Sequence, residues 1–180
     1  MLVEDHTPRM RIIILIYIVA NCFFHFAHLN FNLVFNTIMI KVISGRQFPT
    51  TVIPLIEQAK NSIDIIVFDW RWYGAEPGAS VQLFNQAIHR CVKRKVNIRA
   101  LVNNASLVNF LKAQGIHGKH VICQKLMHCK MMIIDGKTVI TGSHNYTKSA
   151  FHLNIELSVL IEDDPSIAEF IQFYENIWQR

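Results

Sequence analysis

Reactive side chains are concentrated in residues 126–150, which read LMHCKMMIIDGKTVITGSHNYTKSA. The apolar run Leu126–Ile134 predicts a strand, and alternate side chains of a strand share one face. We therefore expect His128 and Lys130 to point together, and Cys129 and Met131 to point into the opposite layer. A histidine and a lysine are costly to bury without partners. Their pairing predicts the mouth of a pocket that binds an anion.

A second polar group follows this strand. Asp135-Gly136 is a pair favoured in the type I′ turn of a two-residue hairpin, after which residues 137–141 return as a strand. Gly142 permits a close backbone approach, and Ser143 and Asn145 carry hydrogen-bond donors. A phosphate held by an ammonium, a hydroxyl and an amide beside an imidazole makes a coherent site for phosphoryl transfer. Such a site needs neither a metal ion nor a cofactor.

The spacing of these residues resembles the signature of a known family. The pattern His-x-Lys-x4-Asp-x6-Gly-Ser-x-Asn is similar to the motif of the phospholipase D superfamily, and it is matched at His128, Lys130, Asp135, Gly142, Ser143 and Asn145. With each residue type at about 5 per cent, six fixed positions coincide on the order of 10⁻⁸ times per starting position. From Ile38 to the C-terminus the layout, including a closing helix over residues 165–178, is also similar to that of the small single-motif bacterial endonucleases of this superfamily.

The resemblance implies roles for individual residues. It makes His128, Lys130, Asp135, Ser143, Asn145 and Glu156 catalytic, with Lys130, Ser143 and Asn145 also binding the substrate phosphate. Glu156, in the segment NIELSVLIED, takes the place of a glutamate that orients the histidine. Alternatives stay open at two positions, because Asp135 also suits a hairpin turn and Glu156 a solvent-facing strand. A second His-x-Lys, at His117, lacks the rest of the motif and is interpreted as a loop.

The resemblance also implies a mechanism in two steps. One histidine attacks phosphorus and forms a phosphohistidine, and a second histidine protonates the leaving oxygen and then activates water. This chain contains one motif, so the second histidine has to come from another copy. We therefore expect a homodimer whose active site is shared across the two-fold axis.

The elements that position these residues alternate between strand and helix. Apolar runs predict strands at residues 38–43, 62–70, 96–102 and 120–123, and helical spacing predicts helices at residues 49–60, 79–93 and 106–114. Such alternation indicates the α/β class. Together with the resemblance it predicts a phospholipase D-like α/β/α sandwich with a central mixed, largely parallel sheet.

Composition adds an N-terminal feature. The apolar run IIILIYIVA at residues 12–20 follows Arg9 and Arg11 and continues less cleanly to Leu29. It predicts a membrane anchor or export signal, with a buried helix as the alternative. We expect residues 1–36 to form this segment and residues 37–180 the catalytic domain. The protein would then be membrane-anchored or exported, to the periplasm or cell envelope if it is bacterial. The four cysteines are scattered, which argues against a disulfide framework.

Three functions are compatible with these features. A nuclease acting on DNA or RNA is favoured by the single motif, the net charge of +5, the basic cluster at residues 89–95, and Arg71 beside Trp70, Trp72 and Tyr73. Each of these clusters also suits an ordinary solvated surface or loop. A phospholipase D acting on membrane phospholipids is the alternative. A non-enzymatic, membrane-bound nucleic-acid binder is a third possibility, against which an intact set of reactive residues argues.

Overall fold

Strands and helices alternate along residues 39–121 and 126–180, the part of the chain that the computed structural model describes. The strands of this part are β1 (Met39–Ser44), β2 (Ser62–Val67), β3 (Asn97–Val102), β4 (His117–His120), β5 (Met131–Ile134), β6 (Thr138–Gly142) and β7 (Leu157–Glu162). The helices are α1 (Gln47–Gln58), α2 (Ser80–Lys93), α3 (Ala105–Ala113), α4 (Lys148–His152) and α5 (Ile167–Trp178).

The seven strands form one sheet in the order β1-β7-β6-β5-β2-β3-β4. The predicted α/β sandwich with a mixed sheet is confirmed. The expectation that the sheet is largely parallel needs correction, because only β2-β3 and β3-β4 pair in parallel. The other four neighbouring pairs are antiparallel. Crossover helices make β2, β3 and β4 parallel, whereas a tight hairpin joins β5 to β6, and a connection that contains α4 leads on to the antiparallel β7.

Helices cover both faces of the sheet, as β2 shows. Ile63, Ile65 and Val67 belong to the core shared with α1, α2, α3 and α4. Ile66 belongs to a second core beneath α5, which includes the buried Tyr174. A strand buried on both faces needs a nearly continuous apolar sequence, which β2 has. Each such isoleucine contributes roughly 1.5–3 kcal/mol by its burial.

The β5-β6 hairpin has the predicted turn. Asp135 and Gly136 both have positive φ angles, 53° and 65°, as a type I′ turn requires. The preceding strand is shorter than expected, because the β5 ladder begins at Met131 instead of Leu126. Met131 pairs with Ile66, next to the end of β2 at Val67. Residues 126–130 therefore continue past the end of β2 and form no ladder with it.

The His-x-Lys sequence at His117, expected to be a loop, is part of β4. Gly118 makes this possible, because a Cβ atom there would lie 3.3 Å from Leu111 Cβ of α3. The strand expected at residues 120–123 extends partly outside the described residues.

No helix among the described residues is both long enough and apolar enough to cross a membrane. The predicted anchor at residues 12–29 lies outside the described part of the chain.

Candidate active site

His128 and Lys130 are brought together immediately before β5. Lys130 Nζ lies 3.1 Å from His128 Nε2 and donates a hydrogen bond to the His128 carbonyl oxygen at 2.8 Å. His128 is exposed, whereas Lys130 is 6% exposed. The two side chains thus lie next to each other, as the sequence predicted, with the ammonium buried and the imidazole accessible. The two side chains meet although residues 126–130 are not part of a strand.

The backbone of Lys130 is held by the end of β6. Its carbonyl oxygen accepts hydrogen bonds from Gly142 N at 3.2 Å and from Thr141 Oγ1 at 3.1 Å. Burial lowers the pKa of the Lys130 ammonium from its ordinary value, and the negative charge of Glu156 opposes this effect. The Lys130 ammonium is thus held in place and partly removed from water, and an anion beside it would favour its charged form.

Ser143 and Glu156 form the second polar pair. Ser143 Oγ donates a hydrogen bond to Glu156 Oε2, and Asn154 Nδ2 donates to Glu156 Oε1 at 2.9 Å. Gly142 allows this approach, since a Cβ atom there would lie 2.3 Å from the carbonyl oxygen of Leu157. The sequence predicted that Glu156 orients His128. Among the described residues, its hydrogen bonds go to Ser143 and Asn154.

Asn145 connects the motif to the end of β2. Its Oδ1 accepts a hydrogen bond from the backbone N–H of Asp69 at 3.1 Å. In the reverse direction, Tyr146 N donates to the carbonyl oxygen of Asp69 at 2.9 Å. With Oδ1 accepting, the Asn145 amide has its Nδ2 group as the donor for a substrate oxygen.

Asp135 follows the end of β5 opposite to His128 and Lys130. Its carboxylate accepts three backbone hydrogen bonds, from Lys60 N at 2.9 Å, Asn61 N at 2.7 Å and Ser62 N at 2.9 Å. Burial on its own would raise the pKa of this carboxyl, but the three N–H donors together lower it below its usual value. These bonds fix the connection between α1 and β2.

His144, inside the motif, has a structural arrangement that the sequence did not reveal. The ring is 1% exposed, with Nε2 lying 3.1 Å from the Gly45 carbonyl oxygen and Nδ1 lying 2.8 Å from Ser158 Oγ. Since a carbonyl only accepts, Nε2 carries the proton and Nδ1 accepts from the hydroxyl. Burial lowers the pKa of His144. This neutral histidine joins the Gly-Ser-x-Asn segment to the turn after β1.

Phe68 is a further site residue that sequence reasoning missed. Its ring centroid lies 5.2 Å from that of His128 and 5.4 Å from Lys130 Nζ. The available signal was its position, since it directly follows β2 and ligands of α/β proteins gather at the carboxyl ends of strands.

The basic cluster expected to bind nucleic acid is partly engaged within the chain. Arg90 Nε binds Glu57 Oε1 at 2.8 Å, and Arg94 Nη2 donates to the Glu57 carbonyl oxygen at 2.9 Å. Of the other group, Arg71 is exposed and forms an ion pair with Asp69 at 2.7 Å. Trp70 is buried, with its Nε1 donating to Asn85 Oδ1 at 2.8 Å. The described residues contain no group of three or more His, Cys, Asp or Glu side chains arranged to hold a metal ion.

Comparison with known proteins identifies the family of this chain. The family model described as "Cardiolipin synthase, PLD-like domain" matches residues 52–178. The mitochondrial cardiolipin hydrolase of Homo sapiens is 30% identical over 128 residues, which cover 68% of this chain and 47% of that protein. A phospholipase D of Rickettsia prowazekii is 31% identical over 127 residues, covering 67% and 58%. The chain thus spans about half the length of the curated relatives that it matches.

Solved structures show the same fold. Nuc from Salmonella typhimurium, described as a phospholipase D family member, superposes with a TM-score of 0.68 at 22% identity, covering 79% of this chain and 95% of that one. NucT from Helicobacter pylori gives a TM-score of 0.63 at 18% identity, covering 79% and 96%. The match to the family model over residues 52–178 shows that this chain belongs to the phospholipase D-like family.

Proposed function

We propose that this protein is a metal-independent phosphodiesterase, and that it is an endonuclease acting on DNA or RNA through a phosphohistidine intermediate. The observation that supports this proposal best is the contact of 3.1 Å between Lys130 Nζ and His128 Nε2. An accessible imidazole beside an ammonium places a nucleophile next to a group that binds a phosphate oxygen.

The reaction has two displacements. In the first, His128 Nε2 forms a bond to phosphorus while the bond to the leaving oxygen breaks, and a second histidine gives that oxygen its proton. In the second displacement, the second histidine takes a proton from water, the water oxygen attacks phosphorus, and the bond between phosphorus and His128 Nε2 breaks. The products are an alcohol and a phosphate monoester, and His128 is regenerated.

Three side chains are assigned to the phosphate oxygens. Lys130 supplies a positive charge, Asn145 supplies Nδ2, and Ser143 supplies its hydroxyl. Because Ser143 Oγ is bonded to Glu156, this hydroxyl exchanges partners when it binds the substrate. We assign Glu156 to the site through this bond, while Asp135 acts on the fold through the backbone donors that it accepts.

The second histidine is proposed to be His128 of another copy of the chain. Among the described histidines, His144 is buried and held at both ring nitrogens. His152 Nε2 bonds Ser80 Oγ at 2.6 Å. His120 lines a cavity with His128, but its Nε2 is 3.0 Å from the Asn103 carbonyl oxygen. A homodimer supplies an equivalent imidazole from the opposite side of the phosphate.

A nucleic-acid substrate is favoured by the surface next to the site. A cavity of about 320 Å³ lies beside Phe68 and is lined by polar groups and aromatic rings, including Arg71, Asn104, Ser106 and Trp72. Arg71 is paired with Asp69 in this cavity, so the feature that suits a nucleic-acid strand is the aromatic rings, on which bases can stack.

A phospholipase activity is the second candidate. Several relatives are named mitochondrial cardiolipin hydrolase. A cavity of about 360 Å³ next to His128 is lined by the apolar Leu126, Met127 and Ile177 together with Lys119 and Arg180. Apolar side chains together with two cationic residues in one lining suit a phospholipid.

One panel separates these functions. The full-length chain is assayed with a chromogenic diester, single-stranded DNA, RNA, and vesicles of phosphatidylcholine with or without cardiolipin, each in excess EDTA and with added magnesium. We expect diester and nucleic-acid hydrolysis to persist in EDTA, because the proposed phosphate donors are an ammonium, a hydroxyl and an amide. Loss of turnover in EDTA with rescue by magnesium contradicts the metal-independent mechanism. Hydrolysis of cardiolipin without cleavage of nucleic acid replaces the endonuclease with the second candidate.

The N-terminal part of the proposal concerns location. We propose that residues 1–36 anchor or export the protein and that residues 37–180 carry the catalysis. Retention at a membrane is compatible with either substrate.

A further inference from the structure

Two cavities share the aromatic pair Trp72 and Phe110. The near cavity, of about 320 Å³, is lined by this pair together with Phe68, Asp69 and Arg71. The far cavity, of about 430 Å³, is lined by the same pair together with Gln86, His89 and Gln114. The rings of Trp72 and Phe110 therefore form a wall common to both cavities.

The geometry of this wall suits the stacking of a flat ring. The centroids of Trp72 and Phe110 are 5.0 Å apart with an interplanar angle of 67°, and Trp72 stacks on Trp70 at 5.8 Å. Phe110 is 40% exposed. A large aromatic side chain at the surface between two cavities offers its face to a ligand.

The far cavity also has hydrogen-bonding side chains in its lining. Gln86 and Gln114 add amide groups, which both donate and accept. Amides beside an aromatic face match the edge and the face of a nucleobase.

The near cavity leads from the wall to the catalytic residues. Phe68, which lines it, has its ring centroid 5.4 Å from Lys130 Nζ. Asp69, the next residue, donates its backbone N–H to Asn145 Oδ1 at 3.1 Å. A substrate whose phosphate binds Lys130 and Asn145 can therefore extend along this cavity to the aromatic wall.

We infer that Trp72 and Phe110 form a subsite for a nucleobase next to the scissile phosphate, with the amides of Gln86 and Gln114 forming hydrogen bonds to the edge of the base. This inference rests on the proposed nuclease function and makes it more specific. A base inside a duplex is stacked and paired, so it has to leave the helix to enter the subsite. The preferred substrate is therefore a strand with unpaired bases.

The test compares diesters that contain one scissile bond. The substrates are thymidylyl-thymidine and two analogues in which either the 5′ or the 3′ base is missing. The variants are Phe110→Ala and, as a matched control, Phe173→Ala, because Phe173 is 45% exposed on α5. Both substitutions remove an exposed ring, so neither is expected to prevent folding.

We expect wild type to lose about tenfold in kcat/KM on one of the two analogues, since stacking of a base contributes about that much. Phe110→Ala should lower kcat/KM about tenfold on the complete diester. On the analogue that wild type cleaves poorly, Phe110→Ala should have the same kcat/KM as wild type. Phe173→Ala should behave as wild type. Equal behaviour of the two variants on all substrates overturns the inference.

A binding measurement separates this inference from the proposed function. If wild type cleaves none of these diesters, affinity for a fluorescein-labelled single-stranded oligonucleotide is measured by anisotropy. If Phe110→Ala binds the oligonucleotide more weakly than wild type and Phe173→Ala does not, the result supports a base subsite in a protein that does not cleave nucleic acid. Binding that is unchanged by Phe110→Ala, or no binding by wild type, refutes it.

Discussion

Lys130 Nζ lies 3.1 Å from His128 Nε2, the nitrogen to which we assign nucleophilic attack. An ammonium can only donate, so in a neutral imidazole this nitrogen accepts and the ring proton is on Nδ1. The lone pair that would attack phosphorus is therefore held by the lysine. A phosphate oxygen that draws the ammonium to itself frees this lone pair, which couples substrate binding to activation of the nucleophile.

Replacement of His128 should stop the reaction without affecting the fold. We expect His128→Ala to lower kcat/KM for a diester on the order of 10³-fold or more. Because the side chain is exposed, the thermal unfolding temperature should stay within a few degrees of wild type. The control is His152→Ala, which removes another exposed histidine. If His128→Ala lowered kcat/KM only a few-fold, the assignment of His128 as the nucleophile would be wrong.

Replacement of Lys130 should lower activity without lowering the stability of the fold. We expect Lys130→Met to lower kcat about 10²–10³-fold, since it removes the charge to which we assign stabilisation of the transition state. The fold should be as stable as wild type or more so at neutral pH, because burial lowers the pKa of this lysine and disfavours its charged form. The folded-state pKa lies below the unfolded one, so this cost disappears as the pH rises towards the ordinary value of 10.5. Thermal unfolding at several pH values checks the sign, and a large loss of stability at pH 7 contradicts it.

Asp135 should contribute to stability and little to chemistry. Asn tolerates the positive φ of this position but has one carbonyl oxygen for three N–H donors. We expect Asp135→Asn to cost about 1–3 kcal/mol of unfolding free energy at pH 7. The pKa of Asp135 is lowered by folding, so its contribution is complete above the ordinary value of 3.8 and is lost as the pH falls through the folded value. Denaturant unfolding at pH 7 and pH 3 measures this difference. If folded Asp135→Asn lost activity as fully as His128→Ala, Asp135 would belong to the chemistry.

The contact between His128 and Lys130 in the candidate site could be predicted because their spacing in the sequence is local. These residues are two positions apart. Asn145 and Phe68 show the limit of this reasoning. Asn145 bonds Asp69, 76 positions away, because the end of β2 lies beside the motif. Such a contact depends on sheet order, which alternation of strands and helices does not specify.

The balance of parallel and antiparallel strands was harder to predict for a related reason. The helices between β2, β3 and β4 predict that these strands pair in parallel. No pattern in the neighbouring sequence predicts that β5 pairs with β2. The same applies to β1, which pairs with β7 from the opposite end of the sequence. Burial of both faces accounts for the central position of β5, which is buried throughout, but not for β1, whose side chains are exposed at all positions except Ile43.

The N-terminal segment should control membrane association. We expect the full-length chain to sediment with membranes and to require detergent for release, because residues 12–29 are mostly apolar behind a basic flank. A chain that begins at Asn36 should remain in the supernatant and hydrolyse the chromogenic diester at a similar rate. Fractionation followed by the diester assay measures both properties. An unprocessed full-length chain found wholly in the supernatant would favour a buried N-terminal helix.

Sharing of the active site between two chains should be visible when variants are mixed. If each site takes one His128 from each subunit, a heterodimer of wild type and His128→Ala has one imidazole and cannot both form and resolve the phosphohistidine. With equal amounts and random pairing, about a quarter of the dimers keep both histidines. Activity per wild-type chain should therefore fall by roughly half.

The mixing experiment needs proof that subunits exchange and a test of the alternative second histidine. Exchange is followed by energy transfer between chains that carry different labels, and turnover of wild type is measured on dilution through the dimer dissociation constant. The variant His120→Ala addresses the cavity that His120 and His128 share within one chain. In a shared site, His120→Ala stays active and His128→Ala poisons wild type, because both imidazoles at the phosphate are His128. Strictly additive activity after exchange, with inactive His120→Ala, instead places the complete pair of histidines in a single chain.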